Sequence, residues 1–241
     1  MTQEQVTDIN SQATLDAKLP PWEVALRIVA RIVSFLFHPL LIPTYMLMLL
    51  LVVNPYIFGV NSLGDELSRL LLLRIFLSTF LIPMVAITML RTTGLIGSLD
   101  MQDKKERIGP YIITGVFYLW MTRNFIGSEL VPTAYTTFML GATIALFLAF
   151  FINVFSKISA HTVGMGTLLG MVVITMFLFS YDTFAVAGWN LNMNIVLIVA
   201  VLLAGLVGTA RQILHPYHPN DLYGGYLVGL FSQIIALRFI F

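Results

Sequence analysis

Arginine, two histidines and an aspartate crowd into one polar island, ARQILHPYHPNDLYGG, set between two apolar stretches: Arg211, His215, His218 and Asp221. Two earlier junctions are similarly polar. One carries Asp100, Asp103, Lys104, Lys105, Glu106 and Arg107, the other Lys157, Ser159 and His161. Arginine presents a planar fork for bidentate contacts, lysine a point charge and serine a neutral donor, so the pooled set suits a phosphate group. Histidine adds a nucleophile or a proton carrier near neutral pH. Phosphoryl transfer needs little more: positive groups around the equatorial oxygens, an in-line nucleophile and an acid for the departing oxygen. The few acids are interleaved with bases and the histidines lack a ligand spacing, so no metal or other cofactor is expected.

The elements that must position these groups are apolar helices. Hydrophobic residues make up 58% of the 241 positions and charged ones 10%, and the mean hydropathy is +0.89. This composition defines an integral membrane protein. A net charge of +1 with scattered basic residues gives no reason to invoke nucleic acid. With no cysteine, disulfides, thiolate metal sites and a cysteine nucleophile are excluded. The first residues lack the basic, apolar and small-residue pattern of a cleavable signal peptide.

Hydropathy and Gly/Pro punctuation predict about seven spans, near 35–53, 70–90, 110–126, 134–155, 160–180, 193–211 and 222–241. The expected fold is an all-α, polytopic transmembrane helix bundle, with residues 1–21 a flexible tail and 22–241 one helical domain. Arg27 and Arg31, ahead of Pro39 and Pro43, suggest that an amphipathic interfacial helix leads into the first span. His38 reads as an interfacial residue without a chemical role. The Ala204/Gly208 and Gly225/Gly229 spacings read as close helix packing.

With seven spans, the junctions after the second, fourth and sixth lie on one membrane face. All three polar clusters are therefore co-facial, while the opposite junctions hold chiefly Asp65, Glu66, Arg69, Arg123, Glu129 and Asp182. The excess of Lys and Arg would place the cluster-bearing face in the cytoplasm.

On these residues the chain resembles the type 2 phosphatidic acid phosphatase superfamily of membrane lipid phosphatases. That family has three motifs in order: a lysine with Arg-Pro seven residues on, Pro-Ser-Gly-His, and Ser-Arg followed by a spaced histidine and aspartate. In this chain Ile158-Ser159-Ala160-His161 stands for the second, and Ala210-Arg211 with Asp221 for the third. Aligned on Pro110, the first motif's arginine falls at Gly109 and its lysine at Gln102, with Lys104, Lys105 and Arg107 between. Tyr217 occupies the place of the nucleophilic histidine, flanked by His215 and His218. The resemblance spans 102–229 and implies a six-helix phosphatase core without a cofactor.

The resemblance implies catalytic roles for His161, His218, Asp221 and Tyr217. His218 would be the nucleophile, with Tyr217 and His215 as alternatives, Asp221 its orienting partner and His161 the proton donor to the leaving oxygen. Phosphate would be held by Lys104, Lys105, Arg107, Ser159 and Arg211. The implied substrate is a phosphorylated membrane lipid of the phosphatidic acid, phosphatidylglycerol phosphate or polyprenyl pyrophosphate class. A bacterial inner membrane is the expected setting, and many bacterial relatives face outward. The alternative is a non-catalytic relative that binds or moves such a lipid.

Overall fold

A proline-punctuated series of apolar helices forms one bundle in the computed structural model, which describes residues 20–97, 105–181, 183–186, 188–215 and 217–241. Helix α1 (Pro21–Leu36) and α2 (Ile42–Val53) together make a broken first span, joined by a short 3-10 turn at Pro39–Leu41. The break is local chemistry. Pro39 has no N–H to donate, and a residue before proline is driven out of the helical region, so His38 is extended at φ −62° and ψ 135°. Its ring Nδ1 then accepts the Leu40 N–H at 3.3 Å, capping the turn.

The second span comprises α3 (Glu66–Phe76), a π turn at Leu77–Leu81 and α4 (Ile82–Thr92). Pro83 cannot donate to the carbonyl four residues back, which accounts for the widened turn there. Five longer helices follow: α5 (Ile108–Phe125), α6 (Thr133–Phe155), α7 (Ala160–Leu178), α8 (Met193–Leu214) and α9 (Pro219–Ile240). Between α7 and α8, strands β1 (Phe184–Val186) and β2 (Trp189–Leu191) pair antiparallel, with Phe184 opposite Leu191. Gly188, at φ 86°, supplies the left-handed residue their turn requires.

Among the described residues, six stretches are long and apolar enough to cross a membrane: Pro21–Val53, Glu66–Thr92, Thr133–Phe155, Ala160–Leu178, Met193–Leu214 and Pro219–Ile240. The protein is thus an all-α, multi-pass membrane bundle. Two details differ from the sequence reading. The first apolar stretch begins at Pro21 rather than near residue 35, because α1 is continuous up to the His38-Pro39 break. Helix α5 forms where a span was expected but is not among the six. Residues 1–19 of the expected tail, and Lys104, lie outside the described residues.

The tightest packing joins α9 to α7, with α6 next. A Cβ at Gly229 would run into the backbone of Val163 and Thr167, and one at Gly225 into Thr162. The α9 glycines therefore let two backbones approach closely, in the manner of small-residue membrane packing. Tyr226 uses the neighbouring space at Gly208 and donates its hydroxyl to Ala204 O at 2.5 Å, bringing in α8. Gln233, fully buried, donates to Phe138 O at 3.3 Å and ties α9 to α6. Helix α1 packs mainly on α8. These contacts fix the start of α7, the end of α8 and the start of α9 beside one another.

Candidate functional site

Arg107 closes the site. It stands at the N-cap of α5, is 9% exposed, and reaches two other junctions with one guanidinium. Its Nη1 donates to Ile158 O at 3.1 Å, just ahead of α7, and its Nη2 donates to the Tyr217 hydroxyl at 3.0 Å, between α8 and α9. Only a rigid, forked cation makes both bonds at once. Arg211, in the last turn of α8, is equally buried. The Tyr217 ring lies against both arginines, with guanidinium carbons 5.7 Å (Arg107) and 5.9 Å (Arg211) from its centroid. Those separations fall in the range of cation–π attraction.

These three side chains line a cavity of about 460 Å³. His161, in the first turn of α7, is on the same wall, and so are Arg31, Ser34 and His38 from the broken first span. Much of the remaining wall is apolar, including Leu40 and Ile42 of the first span, Met84 and Ile87 of α4, and Phe138 and Leu146 of α6. A few convergent polar groups in a mainly apolar hollow of this size is the usual form of a small-molecule site.

The two cavity histidines have assigned hydrogens. His161 Nε2 lies 3.0 Å from Ser34 O, and a carbonyl only accepts, so Nε2 carries the hydrogen and Nδ1 keeps the lone pair. His38 Nδ1 accepts from Leu40 N, so its hydrogen is on Nε2. The rings meet edge-on, 5.5 Å between centroids.

The residues expected from sequence divide into two groups. Arg107, His161, Arg211 and Tyr217 are brought together on the cavity wall. Ser159, Lys105, His218 and Asp221 are not on it. Ser159 is fully buried just behind Ala160; its hydroxyl caps nothing and has no hydrogen-bond partner among the described residues. Lys105 is exposed. His218 is exposed and stands at the N-cap of α9: its N–H donates to Asp221 Oδ2 at 3.0 Å, and its carbonyl accepts the Asp221 N–H at 2.9 Å. The Asp221 carboxylate thus caps the helix start through the backbone of His218 rather than meeting its ring. His215 is buried, edge-on to Tyr217 at 5.9 Å, and outside the cavity lining.

The sequence reading gave His38 no chemical role, and the structure places it on the cavity wall. The available signal was His-Pro itself, which stops a helix and frees the ring to cap. No group of three or more His, Asp or Glu that could hold a metal occurs among the described residues. Fold and site together define a multi-pass helical membrane protein with a cationic, histidine-bearing cavity. Comparison of the chain with family models, curated proteins and solved structures finds no match.

Proposed function

We propose that the protein is an integral membrane phosphatase that hydrolyses a phosphomonoester or diphosphate on a lipid. One observation carries the reading: Arg107, His161, Arg211 and Tyr217, drawn from three separate junctions, meet on one cavity whose other walls are largely apolar. The two guanidiniums suit a phosphoryl group, and the apolar walls suit the attached chain. Phosphatidic acid, phosphatidylglycerol phosphate and polyprenyl pyrophosphate are the lipid classes offered by the sequence resemblance, which also suggests a bacterial cytoplasmic membrane.

Among the wall groups, the Tyr217 hydroxyl accepts from Arg107 and its ring lies against both guanidiniums, and it takes the attacking role in this reading. Its oxygen bonds to phosphorus while the bond from phosphorus to the lipid oxygen breaks. The phenolic proton passes through His161 Nδ1 to the lipid oxygen, which leaves as an alcohol. Water then attacks the phosphotyrosine, releasing inorganic phosphate and restoring the phenol. Arg107 and Arg211 offset the charge that builds on the phosphoryl oxygens.

A second reading, a non-catalytic protein that binds or moves a phosphorylated lipid, is favoured by the engagement of His218 and Asp221 in a helix cap. Purified protein assayed for phosphate release across a panel of lipid phosphates separates the two. Turnover with an acid-stable phosphoenzyme supports Tyr217; an acid-labile one returns the nucleophile to a histidine. Tight lipid-phosphate binding without release, together with turnover gained on Tyr217→His, supports the binding protein.

A further inference from the structure

We propose that His38 is a direct ligand of the bound phosphate, donating from Nε2, so that the break in the first span completes the site. The assignment rests on reading this cavity as a lipid-phosphate site. It starts from the His38-Pro39 pair. Proline halts α1 and leaves His38 extended, and the Leu40 N–H occupies Nδ1 at 3.3 Å. In the neutral ring the hydrogen must then sit on Nε2.

That ring is on the cavity wall, edge-on to His161 with centroids 5.5 Å apart. The first span shapes both histidines, because the Ser34 carbonyl holds His161 Nε2 at 3.0 Å. The result is a complementary pair. His38 offers an N–H and His161 offers a lone pair, on the wall that also carries Arg107 and Arg211. An anion in this cavity gains a neutral donor from His38 beside the two guanidiniums, while His161 remains a proton carrier.

Two substitutions separate the ring's tasks. Asparagine places its side-chain oxygen near the position of Nδ1 and keeps the cap, but withdraws the cavity donor. Glutamine places an amide N–H near the position of Nε2. With full-length protein in detergent micelles and dodecyl phosphate as the probe, His38→Asn is expected to weaken binding about tenfold, the usual consequence of losing one hydrogen bond to a charged group. His38→Gln is expected to restore affinity to within about threefold of the original. In 15N-histidine spectra, dodecyl phosphate should shift the His38 Nε2 resonance, which a purely capping histidine would not show.

Equal binding by the original protein and His38→Asn, with no shift at His38 Nε2, overturns the assignment while leaving the lipid-phosphate reading intact. Failure of the original protein to bind dodecyl phosphate, or vesicles containing phosphatidic acid, overturns both. If His38→Asn does not fold, the His38→Gln affinity and the Nε2 shift decide.

Discussion

Of the three His-Pro pairs in this chain, two begin from the same local chemistry and end in different places. His38-Pro39 and His218-Pro219 each hold the histidine extended at the start of the next helical turn, where the His38 ring accepts the Leu40 N–H and the His218 N–H donates to Asp221 Oδ2. His38 nevertheless lines the cavity beside His161, whereas His218 is exposed and the Asp221 carboxylate meets only its backbone N–H. Capping is decided by groups within about three residues. Access to a site is decided by the elements that pack around the cap.

The comparison can be broken most severely at Tyr217, the residue just before His218-Pro219. If turnover depends on its hydroxyl, Tyr217→Phe lowers phosphate release by at least about a thousandfold, as removal of a nucleophile does, while lipid binding persists. Release that survives in Tyr217→Phe and disappears in His218→Asn would exchange the roles of the two residues. Arg211→Gln comes next: affinity for a lipid phosphate, measured by calorimetry, should fall about 30-fold or more with loss of a charge-assisted contact. The roughly tenfold loss expected for His38→Asn ranks below it. Smallest is Asp221→Ala, which should lower stability by about 1 kcal/mol through the lost bond to the His218 N–H and leave affinity unchanged. A thermal midpoint and a binding isotherm on the same sample check both halves of that expectation.

Much of the bundle was legible because hydropathy is a one-dimensional signal. Seven helical stretches lie close to where the apolar runs predict them, and the glycines of α9 make the close contact with α7 that their spacing suggested. Helix α1 was legible as well: the amphipathic helix expected around Arg27 and Arg31 runs unbroken from Pro21 to Leu36. Within the site, Arg107, His161, Arg211 and Tyr217 could be selected because each sits at a polar junction on the same face. Two matters could not be read. The direction of the backbone between Tyr217 and His218 determines which side chain enters the cavity, and a proline-rich turn carries no periodicity from which to infer it. His38 gives no sign of its neighbour either: the first span and His161 meet through Ser34, 127 positions away in the chain.

The sequence by itself determined a multi-pass helical membrane protein, with cations and histidines gathered at three junctions and a helix boundary at each His-Pro pair. These outcomes follow from transfer of apolar side chains into lipid and from backbone rules that act over a few residues. The tertiary structure decided that Tyr217 rather than His218 meets Arg107, across 110 positions of chain, and that His38 joins His161. The reason is physical. Gly225 and Gly229 set how closely α9 approaches α7, the Arg107 fork ties Ile158 to Tyr217, and each of these contacts joins residues that no local rule connects.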